Sequence, residues 1–260
     1  MAIISIDFLS QMMSRTVSAK VILPFDGYTP ANPYDYTDEV KPFKTLYYLH
    51  GYSSNAEMIL SHINFAELST AKGFAVVIPN GENSFYIDQP EERTFYGRFI
   101  AEELVAVTRK LFPLSTHRED TFIGGMSMGG YGALALGSRY MDTFSKIIAM
   151  SPAIYPYDLS DMGILPLPLL NRVFISKENY QHYYDPLTIL SQAKDAGKEL
   201  PGLYVCCGTE DDRTYVVDCK FANDLRKAGI PFEYCESEGA HDSSYWNKVL
   251  PESMDFMLRD

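Results

Sequence analysis

The sequence predicts an α/β fold, a mostly parallel central sheet with helices on both faces, closed as a single domain over residues 1–260. Three observations carry this. Strand-like and helix-like segments alternate along the whole length, the order that feeds parallel strands. Several strand segments, such as "FAVVIPNG" (74–81), are continuous apolar runs, as strands covered on both faces require. The chain is 46% hydrophobic and 22% charged, an ordinary globular composition, and 260 residues can bury a large core in one unit.

Each element can be justified in turn. The opening "MAIISIDFLSQMMSR" has no basic n-region, Asp7 interrupts its apolar run, and no small-residue cleavage site follows, so it is not read as a signal peptide. "TVSAKVILP" (16–24) sets Val17, Ala19, Val21 and Leu23 against Ser18 and Lys20, the alternation of a half-exposed strand. The Pro-, Asp-, Asn- and Tyr-rich stretch up to Pro42 reads as a long surface loop. "KTLYYLHGY" (44–52) is a strand running into a glycine, and a helix ends near Lys72-Gly73 before the run at 74–81. "RFIAEELVAVTRKLF" (98–112) carries Phe99, Leu104, Val107 and Leu111 at helical spacing.

"DTFIGG" (120–125), "GGYGALALGSRY" (129–140) and "FSKIIAMSP" (144–152) then read strand, helix, strand. So do "LYVCCG" (203–208), "YVVDCKFANDLRKAG" (215–229) and "IPFEYCE" (230–236), with Gly229 where a helix C-cap glycine belongs. Residues 152–200 break the rhythm with several prolines and the apolar "MGILPLPLLNRVF". That stretch is too long for a plain connection and is expected to be a small cap inserted over one end of the sheet.

Thirty-four acidic residues against 22 basic ones give a net charge of -12, which disfavours nucleic acid and anionic membrane as partners. No stretch is long and apolar enough to span a bilayer. The four cysteines show neither metal-ligand spacing nor a disulfide framework, so reduced, mostly buried thiols in a cytoplasmic protein are expected. No metal site and no cofactor is expected. Self-association into a homo-oligomer is common among small enzymes, but no segment identifies an interface.

The chemistry centres on "GGMSMGG" (124–130). Gly125-Met126-Ser127-Met128-Gly129 is G-x-S-x-G between a strand and a helix, the context that this motif requires. A sharp turn there pushes the Ser127 hydroxyl out above the sheet, and glycine is needed two residues before and after it because side chains would collide with strand and helix. A serine needs a base, and the base a carboxylate to orient it, in the chain order Ser, acid, His. His241, in "SEGAHDSSYW", follows the last strand; His182 is the one rival, and His50, His62 and His117 precede the serine. "CCGTEDDRTYV" offers Glu210, Asp211 and Asp212 as the acid, and spacing favours Asp211 without deciding. Two backbone N–H groups are needed to receive an oxyanion: that of Met128, next to the serine, and that of Tyr52 in "LHGYSSN" (49–55).

"LHGYSSN", "VVIPNGENSFYID", "FIAEEL", "LFPLSTHREDTFIGGMSMGGYGALALG", "CCGTEDD" and "GAHDSSYW" together resemble the esterase D group of α/β-hydrolases, particularly its bacterial short-chain acyl esterases of the tributyrin esterase type. The resemblance implies the α/β-hydrolase fold, with Ser127 as nucleophile, Asp211 as acid, His241 as base, and Tyr52 and Met128 as oxyanion donors. Two segments depart from it. "SFYID" lacks the tryptophan that relatives often carry before the tyrosine, and 152–185 matches nothing in the group.

The function expected is therefore a serine carboxylesterase acting on a small-molecule ester, with acetyl to butyryl groups on carbohydrates or hydroxycinnamates as candidate substrates. An S-formylglutathione hydrolase type of thioesterase ranks second and an acyl transferase third. A non-catalytic binding module is disfavoured, because it has no use for serine, acid and histidine in order. Activity should fall as pH drops through the range where an imidazole protonates, near ~6.5. Phe85 and Tyr86 leave a strand end on the face where the serine emerges, and are expected to line the substrate pocket. Tyr28, Tyr34 and Tyr36 could add an aromatic platform, although such tyrosines more often cover edges.

Overall fold

The computed structural model of the chain describes residues 1–25 and 41–259. The first half carries β1 (Ala2–Ser10), β2 (Arg15–Leu23), β3 (Thr45–Leu49), α1 (Ala56–His62), α2 (Phe65–Lys72), β4 (Ala75–Pro79), the short β5 (Asp88–Gln89) and β6 (Thr94–Phe95), and α3 (Tyr96–Arg98). A π-helical stretch, Phe99–Leu104, joins α3 to α4 (Val105–Leu111). β7 (Thr121–Met126), α5 (Met128–Arg139) and β8 (Lys146–Met150) follow. Then come α6 (Pro156–Asp161), α7 (Leu167–Phe174), α8 (Lys177–Tyr183), α9 (Pro186–Asp195), β9 (Gly202–Gly208), α10 (Tyr215–Ala228), β10 (Glu233–Ser237) and α11 (Ser243–Leu258).

Among the described residues, eight strands form one sheet in the order β1-β2-β4-β3-β7-β8-β9-β10. β2 is antiparallel to both β1 and β4, and every pairing from β4 to β10 is parallel. Both faces are covered, which is why the central strands read as unbroken apolar runs. Tyr47, Val77, Ile123, Ile147 and Val205 point into one core, while Leu46, Val76, Phe122, Ile148 and Tyr204 point into the other. This is the α/β-hydrolase architecture.

The strand order positions the site. From β3 the chain crosses to β4 on one side, returns to β7 on the other, and then proceeds outward through β8, β9 and β10. The reversal leaves the carboxyl ends of β3 and β7 side by side, with Leu49 paired to Gly125. Ligands of open α/β sheets bind in the crevice at such a switch point.

Several elements, β1 and α11 among them, are absent from the sequence reading. Asp7 interrupts the apolar run over β1 in the sequence. It is an outward-facing strand residue instead: Ile4, Ile6 and Phe8 are half-buried, while Ile3, Ser5, Asp7 and Leu9 face out. The Asp7 carboxylate accepts a hydrogen bond from the Ser18 hydroxyl on β2. α11 was not assigned either; Asp242 caps it by accepting from the Tyr245 N–H at 3.0 Å. Gly229 does take the left-handed C-cap conformation, with φ 62°. Tyr28, Tyr34 and Tyr36 lie outside the described residues. No helix among the described residues is long and apolar enough to cross a membrane.

Candidate active site

Ser127 stands between β7 and α5 with φ 53° and ψ -121°, a conformation costing a non-glycine residue about 1–3 kcal/mol. Backbone bonds hold it there. Its N–H donates to the Met150 carbonyl at 2.9 Å, and its carbonyl accepts from the Tyr131 and Ala153 N–H groups at 3.0 Å each. The flanking glycines are sterically required. A β-carbon on Gly125 would lie 2.4 Å from the Gly129 carbonyl oxygen, and one on Gly129 would lie 2.0 Å from that of Leu49.

His241, in the loop between β10 and α11, brings Nε2 to 2.9 Å from Ser127 Oγ and Nδ1 to 2.7 Å from Asp211 Oδ2. An ionised carboxylate can only accept, so Nδ1 carries the proton, and Nε2 is left to accept from the serine hydroxyl. The structure therefore brings Ser127, His241 and Asp211 into one hydrogen-bonded chain.

Of the three acids after β9, only Asp211 is buried; Glu210 and Asp212 face solvent. Asp211 Oδ1 accepts from the Arg213 and Thr214 N–H groups at 3.0 and 2.9 Å, and Oδ2 accepts from the Thr214 hydroxyl at 2.9 Å. Burial alone pushes this carboxyl up. The hydrogen bond from His241, its charge and the two Thr214 donors outweigh that, and hold Asp211 at about 2, below its ordinary 3.8.

The other histidines stand apart. His182 is exposed on α8 against Tyr183 and does not line the cavity around Ser127. His50 is fully buried: its Nδ1 meets the Gly51 carbonyl at 2.8 Å, while Nε2 accepts from the Gly81 N–H at 2.8 Å. Burial lowers its pKa, so it is a neutral ring bracing the loop that carries Tyr52. Among the described residues, neither the Tyr52 N–H nor the Met128 N–H has an acceptor within the protein. Both residues line the cavity above Ser127, and Met128 opens α5, where the positive end of the helix dipole adds to the field.

That cavity holds about 780 Å³. Its apolar lining includes Met58, Ile59, Phe85 and Trp246, together with Leu159, Ile164, Leu165 and Leu169 from the β8–β9 segment. Tyr86 must be corrected. It does not line the cavity, because its ring packs on Gly132 of α5 and its hydroxyl donates to the His50 carbonyl at 2.8 Å. Phe85 and Tyr86 both have positive φ, 52° and 60°, a backbone twist with no counterpart in their residue types. Two site residues were missed. Thr214 donates twice to Asp211, and its position three residues on, with a hydroxyl, is the signature of a capped turn. Trp246 packs edge-on against His241 with centroids 5.2 Å apart, and its signal was being the sole tryptophan, five residues beyond His241.

Comparisons with known proteins identify the family and the fold. The Esterase family model matches residues 28–257. The chain is 34% identical to an acetyl esterase of Caldicellulosiruptor saccharolyticus over 100% of this chain and 99% of that one. Among solved structures, it is similar to the substrate-bound fluorophosphonate-binding serine hydrolase F of Staphylococcus aureus. There the TM-score is 0.85 at 27% identity, covering 100% of this chain and 99% of that one. It is also similar to an S-formylglutathione hydrolase of Staphylococcus aureus, with TM-score 0.83 at 28% identity and 98% of both chains covered.

Proposed function

The chain belongs to the Esterase family and is a serine carboxylic ester hydrolase; from that premise we propose that Ser127, His241 and Asp211 are its catalytic residues and short-chain acyl esters its substrates. The observation that carries this is the chain of hydrogen bonds from Ser127 Oγ through both nitrogens of His241 to Asp211, at 2.9 and 2.7 Å. It faces a cavity lined by Tyr52 and Met128, whose backbone N–H groups have no acceptor among the described residues.

The reaction follows from these groups. Ser127 Oγ attacks the ester carbonyl carbon as its proton passes to His241 Nε2. The charge that develops on the carbonyl oxygen is received by the Tyr52 and Met128 N–H groups, fixed in place before it appears. His241 then protonates the departing alcohol, leaving the acyl group on Ser127. Water enters, gives its proton to His241 and its oxygen to the acyl carbon, and the carboxylic acid leaves as Ser127 recovers its proton. Asp211 keeps its charge throughout and holds the imidazole in the required tautomer.

The substrates proposed carry acetyl to butyryl groups, on carbohydrates or hydroxycinnamates, as in an esterase D enzyme of the tributyrin type. The acetyl esterase named above supports the lower end of this range. The aliphatic wall contributed by α6, α7 and the residues between them supports room beyond acetyl. The likeness to an S-formylglutathione hydrolase supports a second reading, thioester cleavage, which a formyl-sized pocket would accompany. Intact-protein mass spectrometry after a fluorophosphonate, on the wild type and Ser127→Ala, tests the nucleophile. One adduct that disappears with the serine is expected, and an adduct that persists rejects it. p-Nitrophenyl esters from formate to octanoate, methyl ferulate and S-formylglutathione separate the substrates. A maximum at acetate to butyrate is expected; strong preference for S-formylglutathione would transfer the assignment to the second reading.

A further inference from the structure

Beneath the catalytic acid lies a second carboxyl group that the reaction does not use. Asp218, in the first turn of α10, is fully buried, and neither of its oxygens has a hydrogen-bonding partner in place. Three groups next to it belong to the acid's own surroundings: the Cys207 thiol at the end of β9, the Thr214 hydroxyl and Asp211 itself. Tyr234 on β10, and Cys206 on the far face of β9, are the further titratable groups within electrostatic reach of it. None of them is a cation.

A dry, unpartnered carboxylate beside an ionised one has nothing to stabilise its charge, whereas a carboxylic acid in that place costs far less and gains a donor. The donor is needed. Thr214 Oγ1 spends its only proton on Asp211 Oδ2, at 2.9 Å, so its remaining capacity is to accept. Cys207 Sγ lies 3.6 Å from Thr214 Oγ1, 3.7 Å from the Gly208 carbonyl oxygen and 3.8 Å from Asp211 Oδ2, a weak donor shared among three oxygens.

We propose that Asp218, one helical turn after Thr214, is a positioning residue, a proton-bearing carboxylic acid that turns its unpartnered O–H toward the Thr214 hydroxyl and so fixes that hydroxyl on Asp211. The proposal rests on the reading of Asp211 as the orienting acid for His241. Burial first, with the nearby charge of Asp211 adding to it, pushes Asp218 well above the usual carboxylate range against the opposing effect of the Cys207 thiol and the Thr214 hydroxyl, and burial pushes the Cys207 thiol up as well.

The test compares Asp218→Asn, which keeps a neutral donor of the same shape, with Asp218→Val, which keeps the shape and removes the donor. The expected result is kcat within about threefold of wild type for Asp218→Asn and roughly tenfold or more below it for Asp218→Val, with KM little changed in both. In the 1H NMR spectrum, the low-field resonance of the His241 Nδ1 proton, absent in His241→Gln, is expected to persist in Asp218→Asn and to shift or broaden in Asp218→Val. Thr214→Val, which removes the link on the other side, serves if Asp218→Val does not fold, and is expected to move the same resonance. Asp218→Val with wild-type kcat and an unmoved resonance would overturn the proposal. So would Asp218→Asn falling as far as Asp218→Val, since the group would then act as an anion. The resonance is read without substrate, so a failure of the esterase reading would leave this test standing.

Discussion

The backbone carbonyl of Leu49 lies 2.0 Å from where a β-carbon on Gly129 would begin. Leu49 ends the strand that leads to Tyr52, and Gly129 belongs to the first turn of the helix that Ser127 opens, so this contact sets the two halves of the proposed oxyanion site against each other. Backbone meets backbone there, and no side-chain rotation can relieve an added methyl. Gly129→Ala is expected to cost about 3 kcal/mol or more and to lower the activity of whatever folds. Gly163→Ala has nothing within 4 Å but a φ of 76°, and should cost about 1 kcal/mol. Urea midpoints of the two variants measure the difference, and equal midpoints would mean that β3 and α5 can separate freely.

Asp211 links the site to acid stability. It sits at about 2 when folded against 3.8 unfolded, because bonds from His241 and Thr214 outweigh its burial. A carboxyl depressed in this way contributes stability that is complete above its unfolded value and is lost as pH falls through the folded one. The contribution is about 2 kcal/mol, present at pH 5 and gone near pH 2. Asp211→Asn should flatten the unfolding free energy across that window while lowering kcat by roughly 10⁴-fold, through loss of the imidazole's orientation. Urea titrations at pH 2 to 6, set beside ester hydrolysis at pH 7, check both. An unchanged acid limb would show that the carboxylate gains nothing from its partners.

Much of this arrangement was legible because it rests on local chemistry. The turn around Ser127 could be read from its glycines, which no other residue can replace, and the alternation of strands and helices from unbroken apolar runs. Asp211 could not be separated from Glu210 and Asp212 by spacing, because the distinction is burial. Only the fold shows which of three neighbouring carboxyls turns inward. β1 was missed because an edge strand buries one face, and Asp7 on its open face looked like a break. Tyr86 was misplaced because two consecutive residues with positive φ turn its ring into the core, and nothing in "SFYID" announces such a twist.

That twist assigns different roles to adjacent aromatics. Phe85 lines the cavity and meets Tyr52, Tyr131 and Phe174 with ring centroids 6.2, 5.9 and 5.4 Å away. It therefore joins the oxyanion loop to the β8–β9 segment. Phe85→Ala is expected to lose about 3–5 kcal/mol of stability and to shift the ester series toward longer acyl groups. Tyr86→Phe removes only the bond to the His50 carbonyl, costing about 1 kcal/mol with acyl preference unchanged. Thermal unfolding and the p-nitrophenyl ester series measure the pair. A changed acyl profile in Tyr86→Phe would place that ring back at the pocket.

Trp246 offers a direct view of the proposed base. It is the only tryptophan in the chain, its ring lies edge-on to His241 at 5.2 Å, and its Nε1–H donates to Ser151 Oγ at 3.3 Å. Because the two rings touch, His241→Gln is expected to change the Trp246 emission without unfolding the chain. Trp246→Ala should lower kcat by roughly tenfold, since the ring limits the tilt of the imidazole over Ser127. An emission spectrum left identical in His241→Gln would remove the packing argument on which the tenfold loss depends.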